Sequence, residues 1–331
     1  MRIALATLGI LVSIALLQPT LAADSSADMI QKTFPAKPGD RLVIQTDRGS
    51  ITVSGSDRTD VSIEVSRKVK GGSEKKAREL LDRHTVEMSA SQGTIRLEAD
   101  LEGENNWTFR GPQLEVAIVV QVPKQFQLDA QTAGGSVRVQ NLDGNVKAKT
   151  AGGSVHLDAI TGEITGRTSG GSIHASELQG SVDLSTAGGS IRIDRAGQGP
   201  VKAVTSGGSL RLTGITGPLE ARTSGGSIRI ESNGAPIVAS TSGGSVEATL
   251  TGVPTGTVDL RSSAGAVGIV LPAAAAVALD ASTSAGTVKS DFLVGVTNSK
   301  SRSSLKGPIN GGGPAVRLRT SGGSIRIRKG T

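Results

Sequence analysis

The sequence Thr-Ser-Gly-Gly-Ser-Ile-Arg-Ile occupies residues 223–230 and occurs again at residues 320–327. Related copies begin at Thr132, Thr150, Thr168, Thr186, Thr205 and Thr241. Successive copies from Thr132 to Thr241 are 18 residues apart, except for one interval of 19 residues that contains the turn-rich segment 196–200. A short, regular period over many copies is typical of solenoids, in which each repeat stacks on the next.

Each period contains two segments in which apolar and polar side chains alternate. Val146, Ala148 and Thr150 alternate with lysines, and the alternation resumes after the pair Gly152 and Gly153. Alternation with a period of two predicts strands with one buried face. The glycine pair predicts a corner, because glycine adopts backbone conformations that a Cβ disfavours. We therefore predict an all-β fold, a flattened β-solenoid of about 18 residues per coil.

The composition agrees with a narrow aliphatic core. The chain contains four Phe, one Trp and no Tyr, so stacked Val, Ile, Leu and Ala must fill the interior. Its 45 glycines recur in register at the corners, and the absence of cysteine excludes a disulfide framework. The threonine that ends each first strand, such as Thr150, should point inward and form hydrogen bonds near the corner.

The chain divides into three parts. Residues 1–22 combine a basic start, an apolar run and small residues after Pro19, which predicts a cleaved signal peptide and an exported protein. Residues 23–125 predict an irregular β-rich part with degenerate coils at 42–53 and 86–97. Residues 126–331 predict the regular solenoid, with a flexible excursion near residues 294–313.

Both ends of the solenoid need protection, because an uncovered end invites aggregation. A short helix at about residues 73–84, with Ser73 as its N-cap, is expected near the N-terminal end. The only Trp is expected to pack from a loop at residues 105–110. At the other end, Arg326, Arg328 and Lys329 are expected to protect a terminal edge strand.

Several of these features occur together in one known family. The N-terminal signal, the opening Phe-x-x-x-Pro-Gly-Asp-x-Leu-x-Ile at residues 34–44, the helix, the strand ending at Val122-Pro123 and the Thr-Ser-Gly-Gly-Ser-Ile coils resemble the bacterial "putative adhesin" β-helix family. The resemblance covers nearly the whole chain after the signal peptide. It implies a right-handed β-helix at the cell envelope, in a family of unknown function that supplies no catalytic residues.

The sequence offers little for catalysis, metals or cofactors. It has no cysteine and only three histidines, His84, His156 and His174. Metalloprotease, phosphate-loop and dinucleotide-binding motifs are absent. The Gly-Gly pairs lack the aspartate of calcium-binding solenoid repeats, and the coils are too short for catalytic loops. We therefore expect a protein that is not an enzyme, without a cofactor or a metal site.

The first outward residue after each Gly-Gly-Ser-apolar sequence defines what we call the outward column. Its members are Arg138, His156, His174, Arg192, Arg211, Arg229, Glu247 and Arg326. Equivalent residues on adjacent coils should lie ~4.8 Å apart, the spacing of strands in a sheet. Two cations at that distance repel each other by about 0.9 kcal/mol even at the dielectric constant of water. Asp158, Asp194 and Glu231, two residues further on, should relieve part of this repulsion.

Two interpretations of the column remain open. The seven basic members could bind a linear anion, such as envelope polysaccharide or the phosphates of lipopolysaccharide. Alternatively, they only keep a β-face soluble and in register. Nucleic acid is not expected as a partner, because no aromatic residues lie between the cations. If His156 and His174 titrate together, anion binding should strengthen below about pH 6.5.

The function that the sequence favours is an exported, non-enzymatic interaction module of the cell envelope or cell surface. One alternative is an envelope-stress scaffold or sensor that binds a protein partner. A polysaccharide-acting enzyme is the more distant alternative.

Overall fold

The structure is a computed structural model that describes residues 27–103, 112–295 and 302–330. The signal peptide and the Trp107 loop predicted from the sequence lie outside the described residues. Twenty-eight strands and one helix are present within them. The N-terminal elements are β1 (Ala27–Pro35), β2 (Arg41–Thr46), β3 (Ser50–Ser56), β4 (Asp60–Lys70), α1 (Glu74–Asp82), β5 (His84–Ser91), β6 (Thr94–Leu101) and β7 (Gln113–Pro123).

The regular coils follow, with two strands in each coil. Their strands are β8 (Gln127–Thr132), β9 (Val137–Asp143), β10 (Val146–Thr150), β11 (Val155–Thr161), β12 (Ile164–Thr168), β13 (Ile173–Gln179), β14 (Val182–Thr186), β15 (Ile191–Ala196), β16 (Val201–Thr205), β17 (Leu210–Ile215), β18 (Leu219–Thr223), β19 (Ile228–Ser232), β20 (Ile237–Thr241), β21 (Val246–Leu250), β22 (Val258–Ser262) and β23 (Val267–Leu271). The C-terminal strands are β24 (Val277–Thr283), β25 (Val288–Ser290), β26 (Ser304–Ile309), β27 (Ala315–Thr320) and β28 (Ile325–Lys329).

These strands form two sheets of 14 strands each, which confirms the predicted all-β solenoid. Sheet A has the order β1-β4-β7-β3-β9-β11-β13-β15-β17-β19-β21-β23-β28-β25, and sheet B has the order β26-β24-β27-β22-β20-β18-β16-β14-β12-β10-β8-β2-β6-β5. From β7 to β25, successive strands alternate between the sheets, so equivalent residues of adjacent regular coils pair in parallel register, as Val146 does with Ile164. One hydrophobic cluster contains aliphatic residues of both sheets.

The inward threonines stabilise the corners, as predicted. The Oγ1 of Thr150 donates a hydrogen bond to the carbonyl oxygen of Gly135 on the preceding coil, at 2.7 Å. The same oxygen accepts the backbone N–H of Gly153 at 3.2 Å. Thr168 repeats both contacts one coil further along. Each threonine is thus a buried polar group whose hydrogen bonds are satisfied within the corner.

The structural reason for the glycine pairs differs from the one expected. None of the regular Gly-Gly pairs has a positive φ. Instead, the second glycine lies against the neighbouring coil: a Cβ added to Gly171 would lie 2.0 Å from the carbonyl oxygen of Gly153. A Cβ on Gly170 would lie 3.5 Å from the nearest atom, which is an ordinary contact. Close approach of two backbones, rather than backbone conformation, requires the second glycine.

The N-terminal end is closed by antiparallel strands. The coil of β2 and β3 pairs in parallel with β8 and β9, which confirms the degenerate coil predicted at 42–53. The prediction of a coil at 86–97 is wrong: β5 and β6 form an antiparallel hairpin that turns at Gln92 and Gly93, two residues with positive φ. Helix α1 connects the outer strands β4 and β5, and Ser73 caps it by accepting the backbone N–H of Lys76.

The C-terminal end differs from the sequence-based expectation in two ways. Strand β28 is not at the edge, because it lies between β23 and the three-residue strand β25. Its cations therefore do not protect an edge. Of the segment predicted as a flexible excursion, residues 296–301 lie outside the described residues, and the described remainder contains β26, which pairs antiparallel with β24. Its apolar residues Leu305 and Ile309 pack on the hydrophobic core and hold this part in place. The mostly polar composition of the segment gave no indication of this packing.

Candidate functional site

The outward column is continuous over six neighbouring strands of sheet A. Its first six members face one another in register on β9, β11, β13, β15, β17 and β19. Glu247 follows on β21. Arg326 lies further away, because Gly268 of β23 stands between it and Glu247. The six adjacent basic residues therefore form one strip, and Arg326 belongs to another part of the face.

The alternation of the strands points these side chains outward, where His156 is half-buried and the other five are exposed. Arg138 lies between Val137 and Val139, both fully buried, and every member from β9 to β19 has the same apolar neighbours or their equivalents. The side chains of Arg192 and Arg229 are 49% and 63% exposed. A ligand lying along sheet A could reach all six residues without any change in the backbone.

Carboxylates neutralise part of the strip. Arg192 Nε donates to Asp194 Oδ2 at 2.6 Å, and this guanidinium lowers the pKa of Asp194. Arg229 pairs with Glu247 at 3.0 Å rather than with the expected Glu231. In the described part of the chain, Arg138 and Arg211 form no ion pair. The two unpaired arginines are therefore the members most available to an external anion.

His156 and His174 are the second and third residues of the strip. The rings of His156 and His174 stack with their centroids 5.3 Å apart and their planes inclined by 10°. Burial lowers the pKa of His156, and the charges of Arg138 and His174 lower it further. His156 therefore gains its proton at a lower pH than the reference value of about 6.5. Arg138, His156, His174 and Arg192 line a shallow depression of about 300 Å³.

A second depression lies on sheet B and was not anticipated from the sequence. It has a volume of about 490 Å³ and is lined by serine and threonine hydroxyls together with Arg261 and Arg319. Arg261 binds both carboxylate oxygens of Asp259, at 2.8 and 2.7 Å. Arg319 pairs with Asp280 at 2.6 Å. Since both guanidinium groups are neutralised, this depression attracts an anion less than the strip on sheet A does.

Neither a metal centre nor a membrane-spanning helix emerges from the described residues. Within residues 27–103, 112–295 and 302–330, no three His, Asp or Glu side chains are placed to share a metal ion. In the same ranges, no helix is long and apolar enough to cross a membrane.

The Toastrack DUF4097 family model matches residues 39–328, which is most of the chain and includes the whole strip. The chain belongs to the Toastrack DUF4097 family. This confirms the predicted relationship to a family of unknown function. No protein of curated function matches the chain.

Several solved structures align with most of this Toastrack chain at low sequence identity. A "putative adhesin" from Parabacteroides merdae is 12% identical, with 90% of this chain and 95% of the other covered and a TM-score of 0.44. A "putative lipid binding protein" from Parabacteroides distasonis is 15% identical, with 92% and 97% covered and a TM-score of 0.42. A "putative adhesin" from Bacteroides fragilis is 12% identical, with 91% and 97% covered and a TM-score of 0.31. Similarity at this level carries no argument about function.

Proposed function

We propose that this protein is a non-enzymatic, exported interaction module that binds anionic polymers of the cell envelope along sheet A. The observation that carries the proposal is the register of six guanidinium or imidazole groups on six adjacent strands. Acidic polysaccharide and the phosphates of lipopolysaccharide are the ligands of matching chemistry. Export rests on the apolar N-terminal segment of the sequence.

The arrangement favours a linear ligand over a small one. Strands spaced ~4.8 Å apart place the six groups along a line of about 24 Å. Like charges on such a line repel one another, and a polymer that carries repeated negative charges relieves this repulsion. The shallow depression at the histidines has no deep walls that would enclose a small molecule. Binding should therefore depend on many weak contacts and decrease with salt.

A protein partner remains the alternative function, and the strip would then be ordinary solvated surface. Binding to a protein need not involve the strip or depend strongly on salt. No specific contact in the described residues favours this alternative over the polymer. The two are best separated by changing the unpaired cations.

The test compares two double variants with the same change in net charge. Arg138→Glu with Arg211→Glu alters the strip, and Lys147→Glu with Lys202→Glu alters exposed residues of sheet B that form no ion pair in the described structure. Binding of polygalacturonate and of purified lipopolysaccharide would be measured over a salt series by titration calorimetry. We expect the strip variant to bind at least about fivefold more weakly and the sheet B variant to bind like the wild type. Equal binding by all three proteins would refute the strip as the binding site.

A further inference from the structure

The net positive charge of the protein is concentrated at the C-terminal end of the solenoid. Residues 285–331 contain nine lysines and arginines and one acidic residue, Asp291, and so carry a formal charge of +8. The whole chain carries +7, which leaves the remaining residues close to neutral. The strip contributes less to this imbalance, because carboxylates pair with two of its four arginines, Arg192 and Arg229. The charge of the C-terminal end requires a separate explanation.

Four of these cations form what we call the end cluster: Lys289, Arg302, Arg326 and Arg328. Lys289 of β25 pairs in register with Arg326 of β28, and Arg328 follows on the same exposed face. The backbone carbonyl of Arg302 accepts the N–H of Val288, so this residue lies beside β25. All four residues are exposed.

No carboxylate neutralises the end cluster in the described structure. None of its members forms an ion pair with a described residue. Asp291, the only acidic residue in the sequence of segment 285–331, accepts the backbone N–H of Lys329 at 3.3 Å. On the neighbouring strand β23, Gly268 and Val270 pair with Arg326 and Arg328, and Glu247 on the strand beyond it is paired with Arg229. Unpaired cations at this density favour an anionic partner.

An exposed leucine follows Lys289 of the end cluster by four residues in the chain. After β25, Phe292 and Val294 pack on the hydrophobic core and help to close the end of the solenoid. Leu293 between them is 97% exposed. Leu293 is by far the most exposed large apolar residue of the described chain. Unpaired cations attract anionic lipid headgroups, and an exposed apolar side chain can enter the boundary between headgroups and acyl chains.

We propose that the C-terminal end of the solenoid docks on a bilayer surface with anionic headgroups. In this arrangement Leu293 enters the boundary between headgroups and acyl chains, and the end cluster contacts the lipid phosphates. Protection of an edge does not account for Arg326, because β28 lies between β23 and β25; Lys289 lies on β25, the edge strand of sheet A. The end cluster lies on the same outward face of sheet A as the strip, and the two strands that carry Glu247 and Gly268 separate Arg326 from Arg229.

The test measures sedimentation with two kinds of vesicle. One kind contains only phosphatidylcholine, and in the other about one lipid in three is the anionic phosphatidylglycerol. The end variant combines Lys289→Gln, Arg326→Gln and Arg328→Gln. The matched control combines Arg138→Gln, Arg192→Gln and Arg211→Gln, which removes the same charge from the strip. We expect the wild type to bind only the anionic vesicles. The end variant should partition about 100-fold more weakly, and the control should partition like the wild type.

A single substitution tests the apolar contact separately. Leu293→Ser leaves the charges intact and should weaken partitioning about tenfold, because it removes the inserted side chain. Equal losses in the end variant and its control would show attraction by net charge alone and would overturn the proposal. Absence of binding by the wild type, or full binding by Leu293→Ser, would overturn it as well. The outcome is independent of polygalacturonate binding, so this proposal and that of the polymer site can fail separately.

Discussion

At the residue scale, the corner glycines show that two adjacent residues of the same type have different roles. The backbone of Gly171 lies against Gly153 of the preceding coil, whereas Gly170 has room for a Cβ. The hydroxyl of Thr168 accepts the N–H of Gly171 and donates to the carbonyl of Gly153, which holds the two corners together. The sequence repeats both glycines equally, so it does not distinguish the close approach from the open position.

This difference predicts unequal effects of alanine at the two positions. Gly171→Ala forces the stacked backbones apart and should lower the free energy of unfolding by about 3 kcal/mol. Gly170→Ala is the matched control and should change it by less than about 1 kcal/mol. Chemical denaturation of both variants would measure the difference. Similar losses of stability would show that close backbone approach is not what the corner requires.

At the scale of elements, the N-terminal strands enclose a histidine without hydrogen-bond partners. His84, the first residue of β5, is 2% exposed, and neither ring nitrogen has a partner in the described structure. Arg67 of β4 donates to the backbone carbonyl of His84 at 2.6 Å and pairs with Asp28 of β1. Burial lowers the pKa of His84, and the charge of Arg67 lowers it further. These strands therefore pack around a neutral imidazole.

The lowered pKa predicts that acid weakens the N-terminal end. As the pH falls below about 6.5, the unfolded chain takes up a proton at His84 more readily than the folded chain does. The free energy of unfolding should therefore decrease as the pH falls from 7.5 to 5. In His84→Leu this decrease should be smaller, because the buried group no longer titrates. Denaturation curves with the same pH dependence in both proteins would contradict this assignment.

At the scale of the whole molecule, the order of coils in space differs from their order in the chain at both ends. At the N-terminal end, the coil formed by β2 and β3 has two neighbours in space. The coil formed by β6 and β7 lies on one side of it, and the coil formed by β8 and β9 lies on the other. At the C-terminal end, the coil formed by β27 and β28 is also an inner one. The coil formed by β22 and β23 lies on one side of it, and the coil formed by β24 and β25 lies on the other. Each end is thus closed by a segment that passes over a neighbouring coil, whereas the middle of the solenoid is a simple stack.

This arrangement predicts different tolerance to deletion in the middle and at the C-terminal end. Deleting residues 151–168 joins Thr150 to Ser169 and restores the repeat, so the protein should fold with a Tm lowered by only a few degrees. Deleting residues 315–331 removes a coil from between two others and leaves strand edges unpaired, so this variant should aggregate. Thermal unfolding and size-exclusion chromatography would compare them. A monomeric C-terminal truncation with an unchanged Tm would contradict the observed strand order.

The sequence by itself determined the repeating part of this protein. The period of 18 residues, the inward threonines and the outward column follow from local alternation, because every regular coil carries the same pattern and pairs with its direct neighbours. The six adjacent basic residues of the candidate site were predictable for this reason. What they bind was not predictable, since solvated charges and a binding strip have the same sequence pattern.

Only the tertiary structure decided how the ends are closed and which charges remain unpaired. Strand β28 carries the same Thr-Ser-Gly-Gly-Ser-Ile pattern as an internal coil, and only its partners place it between β23 and β25. The positive φ shared by Asn141, Ala159, Glu177 and Arg195 also escapes the sequence, because these residue types have no common preference for it. Parallel stacking requires each coil to adopt the same backbone conformation as its neighbour. Contacts between residues distant in the chain therefore determine these features, and local sequence carries no signal for them.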